Sequence, residues 1–214
     1  RPGRRLVAVA ADGWAGDVLV ATALGEVDRD TRNVMTIEDP VEYRLDGISQ
    51  MQVNPKRNVT FATGLRALLR QDPDVILVGE IRDHETAQLA IQASLTGHFV
   101  LATLHTNDAP SAIPRLIDIG VEPYLVTSSL LGVLAQRLVR RLDPTSETGF
   151  KGRLAIHELL GVTDTIRELV VQNADAVKIR QAAVAEGFEP MKIDGMKKAE
   201  LGRTTTAEVL RVVS

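Results

Sequence analysis

The sequence predicts an α/β fold built on a mainly parallel sheet, and three observations carry that prediction. Three apolar, partly β-branched runs, Val34 to Ile37 (VMTI), Val75 to Val78 (VILV) and Phe99 to Leu104 (FVLATL), are continuous rather than alternating. Continuous apolar strands fit a parallel sheet covered on both faces. Helix-like segments separate them, Thr60 to Gln71, closed by Asp72-Pro73, and His84 to Leu95, closed by Thr96-Gly97. Strands alternating with helices call for right-handed crossovers between parallel neighbours. Finally, 214 residues at 44% hydrophobic content suffice for one core with a small satellite subdomain.

Taken in order, the chain opens with an apolar run at Leu6 to Val9, then Ala8 to Leu19 (AVAADGWAGDVL), which leads into a helical stretch. Nucleotide-binding proteins place a phosphate loop at such a junction, yet this one has no lysine. Trp14 is expected as a half-buried loop residue. After His105 the pattern turns helical: Ile113 to Ile119, with Pro114 placed awkwardly, and a long helix from Pro123 to Arg141. The stretch from Asp143 to Gly152 (DPTSETGFKG) is a loop. Thr163 to Gln172, Asp175 to Glu186, Pro190 to Leu201 and Thr205 to Val213 complete a helical second part. The expected division is a core over 1–110 and an α-helical subdomain over 111–214.

Composition narrows the function classes. A net charge of −3 gives no reason to expect a nucleic-acid or anionic-membrane surface. Four Phe, two Tyr and one Trp leave few platforms for stacking bases. Without cysteine, disulfides and thiolate zinc sites are excluded, and His84, His98, His105 and His157 lack the paired spacing of a structural zinc site. No apolar run approaches the roughly 20 residues of a spanning helix. A soluble protein is expected.

Ligands of open parallel sheets bind outside the carboxyl ends of the strands. Each run here ends in ionisable groups: Glu38-Asp39-Pro40-Val41-Glu42, Glu80-Ile81-Arg82-Asp83 after Gly79, and His105-Thr106-Asn107. If the strands are neighbours, Glu38, Glu80 and His105 converge on one crevice, where an acid can support a water or Mg²⁺. Acids after strands also cap helices or solvate loops, and both readings stand at each position. Arg66 and Arg70 lie four apart on one helix face, either paired with carboxylates such as Asp72 or touching an anion. His98, at a helix-to-strand turn, reads as structural on its own.

The stretches MTIEDPVEYRLDGISQMQVNP, FATGLRALLRQDPDVILVGEIRDHETAQLAIQASLTGHFVLATLHTNDA and SSLLGVLAQRLVRRL resemble the secretion and pilus-assembly ATPases, most closely the type II secretion motor. KGRLAIHELL and MKIDGMKKAELGRTTTAEVLRV extend the likeness. The resemblance implies a RecA-like domain working as a homo-hexamer or mixed ring, with ATP and Mg²⁺, cytoplasmic and held to the inner membrane through platform proteins. By matching positions it puts Glu38 and Glu42 in an aspartate box, Glu80 in a Walker B motif, and His98 and His105 in a histidine box. It places Arg66, Arg70 and Arg82 around the nucleotide or between parts, and Mg²⁺ through water near Glu80 and Glu38.

Three departures accompany the likeness. The chain is expected to begin at the linker before the motor domain, so the N-terminal domain that closes over the nucleotide is expected to be absent. The four-cysteine metal segment common in type II motors is replaced by DPTSETGFK. Ala10, Ala15, Gly16 and Asp17 stand where the phosphate loop has Gly, Gly, Lys and Ser or Thr, and only Gly13 fits the glycine pattern. Exchanging the lysine charge for Asp17 reverses the local sign, and a unit pair at about 4 Å is worth about 4 kcal/mol at an effective dielectric of 20. Two functions are therefore expected in competition: an ATP-hydrolysing motor domain for pseudopilus assembly and export, and a non-hydrolysing structural or regulatory subunit or decayed fragment of the same machine. A nucleic-acid motor is disfavoured by the isoelectric point near 5.9.

Overall fold

The computed structural model describes residues 6–11 and 14–213. Among them, seven strands form one sheet: β1 (Leu6–Ala11), β2 (Val34–Glu38), β3 (Ser49–Gln52), β4 (Val75–Val78), β5 (Phe99–Leu104), β6 (Leu130–Leu142) and β7 (Phe150–Gly161). The order is β3-β2-β4-β5-β1-β6-β7. Every pair is parallel except the β6–β7 hairpin. The helices are α1 (Trp14–Gly25), α2 (Phe61–Leu68), α3 (His84–Leu95), α4 (Ala109–Asp118), α5 (Pro123–Ser129), α6 (Asp164–Val171), α7 (Ala176–Ala185), α8 (Met191–Glu200) and α9 (Thr206–Val213).

Side-chain alternation explains why the central strands are apolar throughout. In β4, Val75 and Leu77 join the smaller core cluster under α1, while Ile76 and Val78 join the larger cluster on the opposite face. The larger cluster takes in Leu65 of α2, Ile91 of α3, Ile113 of α4 and then Ile166, Ile179, Met191 and Val209 of the later helices. Each such side chain contributes about 1.5–3 kcal/mol on full burial. Helix starts follow the sequence signals: Thr60, Asp83, Asp108, Thr163 and Asp175 each accept a backbone N–H three residues on.

The long helix expected from Pro123 to Arg141 is corrected. It ends at Ser129, and residues 130–142 form β6 between β1 and β7. Apolar residues at 130, 131, 133, 134, 138 and 139 satisfy a helical spacing as well as a buried strand, and two flanking strands decide for the strand. Residues 150–161 form β7, so the sheet continues well past residue 110 and an all-helical stretch begins only after Gly161. β3 was likewise not anticipated: SQMQ is too polar to announce a strand. α4 starts four residues before its expected onset and carries Pro114 inside. Trp14 opens α1 rather than lying in a loop.

Candidate functional site

β2, β4 and β5 are adjacent and in parallel register, so their carboxyl ends open on one cavity of about 290 Å³. Glu38, Asp39, Glu42, Glu80, Arg82, Thr103 and His105 line it together with Gln50 and Tyr43, and Val20, Ala21 and Leu24 of α1 close its apolar side. The expected convergence of Glu38, Glu80 and His105 is present.

Glu80 is 7% exposed. Its Oε2 pairs with Arg82 Nε at 2.5 Å and with His105 Nε2 at 3.1 Å. Both contacts fall on the same oxygen, so Oε1 remains for a further donor. A buried carboxylate steadied in this way can orient a water or take a proton. Glu38 Oε1 accepts from Gln50 Nε2 at 3.0 Å and from the Thr36 hydroxyl. Gln50 also donates to Tyr43 O at 2.9 Å and accepts from Leu45 N at 2.8 Å, which ties the loop after Glu38 to β3. Sequence reasoning missed Gln50 because it stands on the unanticipated β3.

Gly79 sets the spacing between the two acids. Its N–H donates to Ile37 O at 2.7 Å, and a Cβ there would meet Ile37 O at 3.0 Å and the Glu38 Cα at 3.1 Å. The Thr103 hydroxyl donates to Gly79 O and fixes the same turn from β5. Backbone closeness at Gly79 thus brings the end of β2 against the end of β4.

The remaining expected residues lie elsewhere. Arg66 pairs with Glu85 of α3 at 2.6 Å, not with Asp72, and neither Arg66 nor Arg70 lines the cavity. His98 precedes β5 at the end opposite His105, with Nδ1 2.9 Å from Ala93 O in a structural turn contact. Gly13 lies outside the described residues.

At the β1–α1 junction Ala10, Ala15, Gly16 and Asp17 occupy the positions where the resemblance expects phosphate-loop residues. β1 runs to Ala11 and α1 opens at Trp14. A Gly-x-x-x-x-Gly-Lys-Ser/Thr cradle needs six residues from its first glycine to its second, and then a lysine. Ala10 is 1% exposed and paired to both Leu104 and Ala135, inside the sheet rather than in a loop. The first lysine of the chain is Lys56. Nor do three or more His, Cys, Asp or Glu among the described residues form a group that could hold a metal ion.

A parallel sheet of this order, with acid and histidine meeting at its carboxyl edge, defines an α/β protein of the RecA-like class. The chain belongs to the type II/IV secretion system protein family, whose model matches residues 13–211. Type II secretion system protein HxcR of Pseudomonas aeruginosa is 55% identical over 207 residues, covering 89% of this chain and 44% of HxcR. Type IV pilus assembly ATPase PilB of Thermus thermophilus is 48% identical over 215 residues, covering 84% of this chain and 24% of PilB. The chain therefore spans less than half of either relative. The crystal structure of the pilus retraction motor PilT with bound ADP superposes with a TM-score of 0.82 at 30% identity, covering 99% of this chain and 62% of that one. By family and fold the chain is a RecA-like domain of the type II/IV secretion system protein family, and no helix among its described residues is long and apolar enough to cross a membrane.

Proposed function

We propose that this chain supplies the RecA-like motor domain of a type II secretion ATPase, the part that in the whole machine couples ATP hydrolysis to pseudopilus assembly and protein export. The observation that carries the proposal is Glu80, buried at the end of β4 and held by Arg82 and His105 beside Glu38. In this reading Glu80 and Glu38 position water and Mg²⁺, and Glu42 and Arg82 shape the rim. Arg66, Arg70 and His98 sit off the cavity and serve contacts between parts of the assembly. The chain works as a homo-hexamer or mixed ring on the cytoplasmic side of inner-membrane platform proteins, and takes no nucleic acid.

A second reading is favoured by the β1–α1 junction: a structural or regulatory ring member that does not hydrolyse ATP. The missing lysine supports it. Catalysis of phosphoryl transfer rests on holding and neutralising the phosphates, and carboxylates alone repel them. The test is to install Ala10→Gly, Ala15→Gly, Gly16→Lys and Asp17→Ser together. Recovered Mg-ATP binding, kept on adding Glu80→Gln while any hydrolysis gained is lost, is the expected result. A restored chain that still binds no nucleotide would overturn the motor-domain reading.

A further inference from the structure

The segment that leaves the candidate site, residues 105–109 between β5 and α4, is held at successive positions by residues of the β6–β7 hairpin and α7. Arg137 of β6 donates from Nη2 to Asn107 Oδ1 at 3.2 Å. Arg180 of α7 donates from Nη2 to Asp108 Oδ2 at 2.6 Å, while Asp108 Oδ1 caps α4 through Ser111 N at 2.9 Å. Glu158 of β7, 3% exposed, accepts from Ala109 N at 2.7 Å through Oε1 and from Met191 N at 2.7 Å through Oε2.

Glu158 is therefore one carboxylate shared by the first residues of α4 and α8. Both N-termini present unpaired backbone donors and positive dipole ends, which a buried anion satisfies together. Charge-assisted bonds of this kind are about twice as strong as neutral ones. The other end of the same short segment is His105, whose Nε2 reaches Glu80 at 3.1 Å. Only three residues separate His105 from Ala109, so the anchors fix where the imidazole can stand.

We propose that Arg137, Glu158 and Arg180 are positioning residues: they hold residues 105–109 from the β6–β7 hairpin and the C-terminal helices, and so set His105 against Glu80. The proposal rests on the reading of Glu80 and His105 as the working side of the site. It also ties the place of α7 and α8 to that pair, because the same groups that seat those helices seat the histidine.

The test uses the nucleotide-free protein. The His105 ring resonances, assigned with His105→Gln, and backbone amide exchange are recorded for Arg180→Ala, Arg137→Ala and the conservative Arg180→Lys. In Arg180→Ala, exchange at the amides of residues 106–109 and 111 is expected to rise about tenfold, near the lower bound for losing a hydrogen bond to a charged group. The His105 ring signals shift, amides of β2 and β4 keep their rates, and Arg180→Lys brings both readouts back toward the parent. Ring signals of His105 unmoved in both alanine variants would overturn the proposal, even with faster exchange, because the anchors would then only cap α4. Because no nucleotide enters the measurement, its failure is distinct from failure of the motor-domain reading, which Mg-ATP binding by the restored loop tests.

Discussion

Glu80, Glu158 and Glu208 are all buried carboxylates, and they differ in what holds them. Glu208 of α9, 3% exposed, takes Arg140 Nη2 at 2.7 Å, Arg140 N at 3.1 Å and Arg211 Nη2 at 3.0 Å. The two guanidiniums, Arg140 first and Arg211 next, hold its carboxyl well below the ordinary value of 4.5. A depressed folded-state value means that this contribution to stability is fully present above about pH 4.5 and is lost as pH falls toward the folded value. Glu208→Gln is accordingly expected to lower stability at pH 7 and to flatten the acid arm of the unfolding curve below that pH. An acid arm unchanged in slope would contradict the pairing. Glu158 is bonded to backbone instead, so Glu158→Ala orphans two buried N–H groups at about 1–3 kcal/mol each. Urea unfolding should report a loss of about 3 kcal/mol or more, and a loss under about 1 kcal/mol would show that the helix ends find other partners. Glu38, Glu80 and His105 were legible in the sequence because a parallel sheet delivers whatever follows each strand to one edge. For Arg66 the pairing with a carboxylate was legible but its partner was not, because Glu85 lies on another helix and no spacing along the chain announces a contact across 19 residues.

At the scale of elements, β2, β4 and β5 could be read from composition because both faces are covered, while β6 and β7 could not. In β7 the buried residues Ile156, Glu158 and Leu160 alternate with exposed His157 and Leu159, a strand pattern hidden by an acid at an inward position. That acid is the one shared by α4 and α8, so the interruption that masks the strand is also what joins it to two helices. α2 shows the opposite case, where a local signal suffices. Thr60 Oγ1 accepts from Thr63 N at 3.1 Å and Thr63 Oγ1 accepts from Thr60 N at 2.8 Å, a reciprocal cap made with threonine at both places. Thr60→Ala is expected to cost about 1 kcal/mol in chemical unfolding. A change within about 0.3 kcal/mol would mean that packing of α2 on β2 and α3 carries its N-terminus without the cap.

For the whole molecule, the candidate site has two sides. One side, at the ends of β2, β4 and β5, holds Glu38 against Gln50 and Glu80 against Arg82 and His105. The other, at the β1–α1 junction, has a strand and a helix but no lysine. The fold survives this because β1 is fastened by β5 and β6 and by core residues Leu6, Ala8 and Ala10, none of which depends on a bound phosphate. On the second reading proposed above, the RecA-like fold and phosphate binding come apart in this chain, and nucleotide affinity tests that directly. Calorimetric titration of the unmodified protein with Mg-ATP is the most direct measurement: no binding is expected in the micromolar range, whereas a micromolar Kd would contradict the account by showing that another part of the chain holds the phosphates.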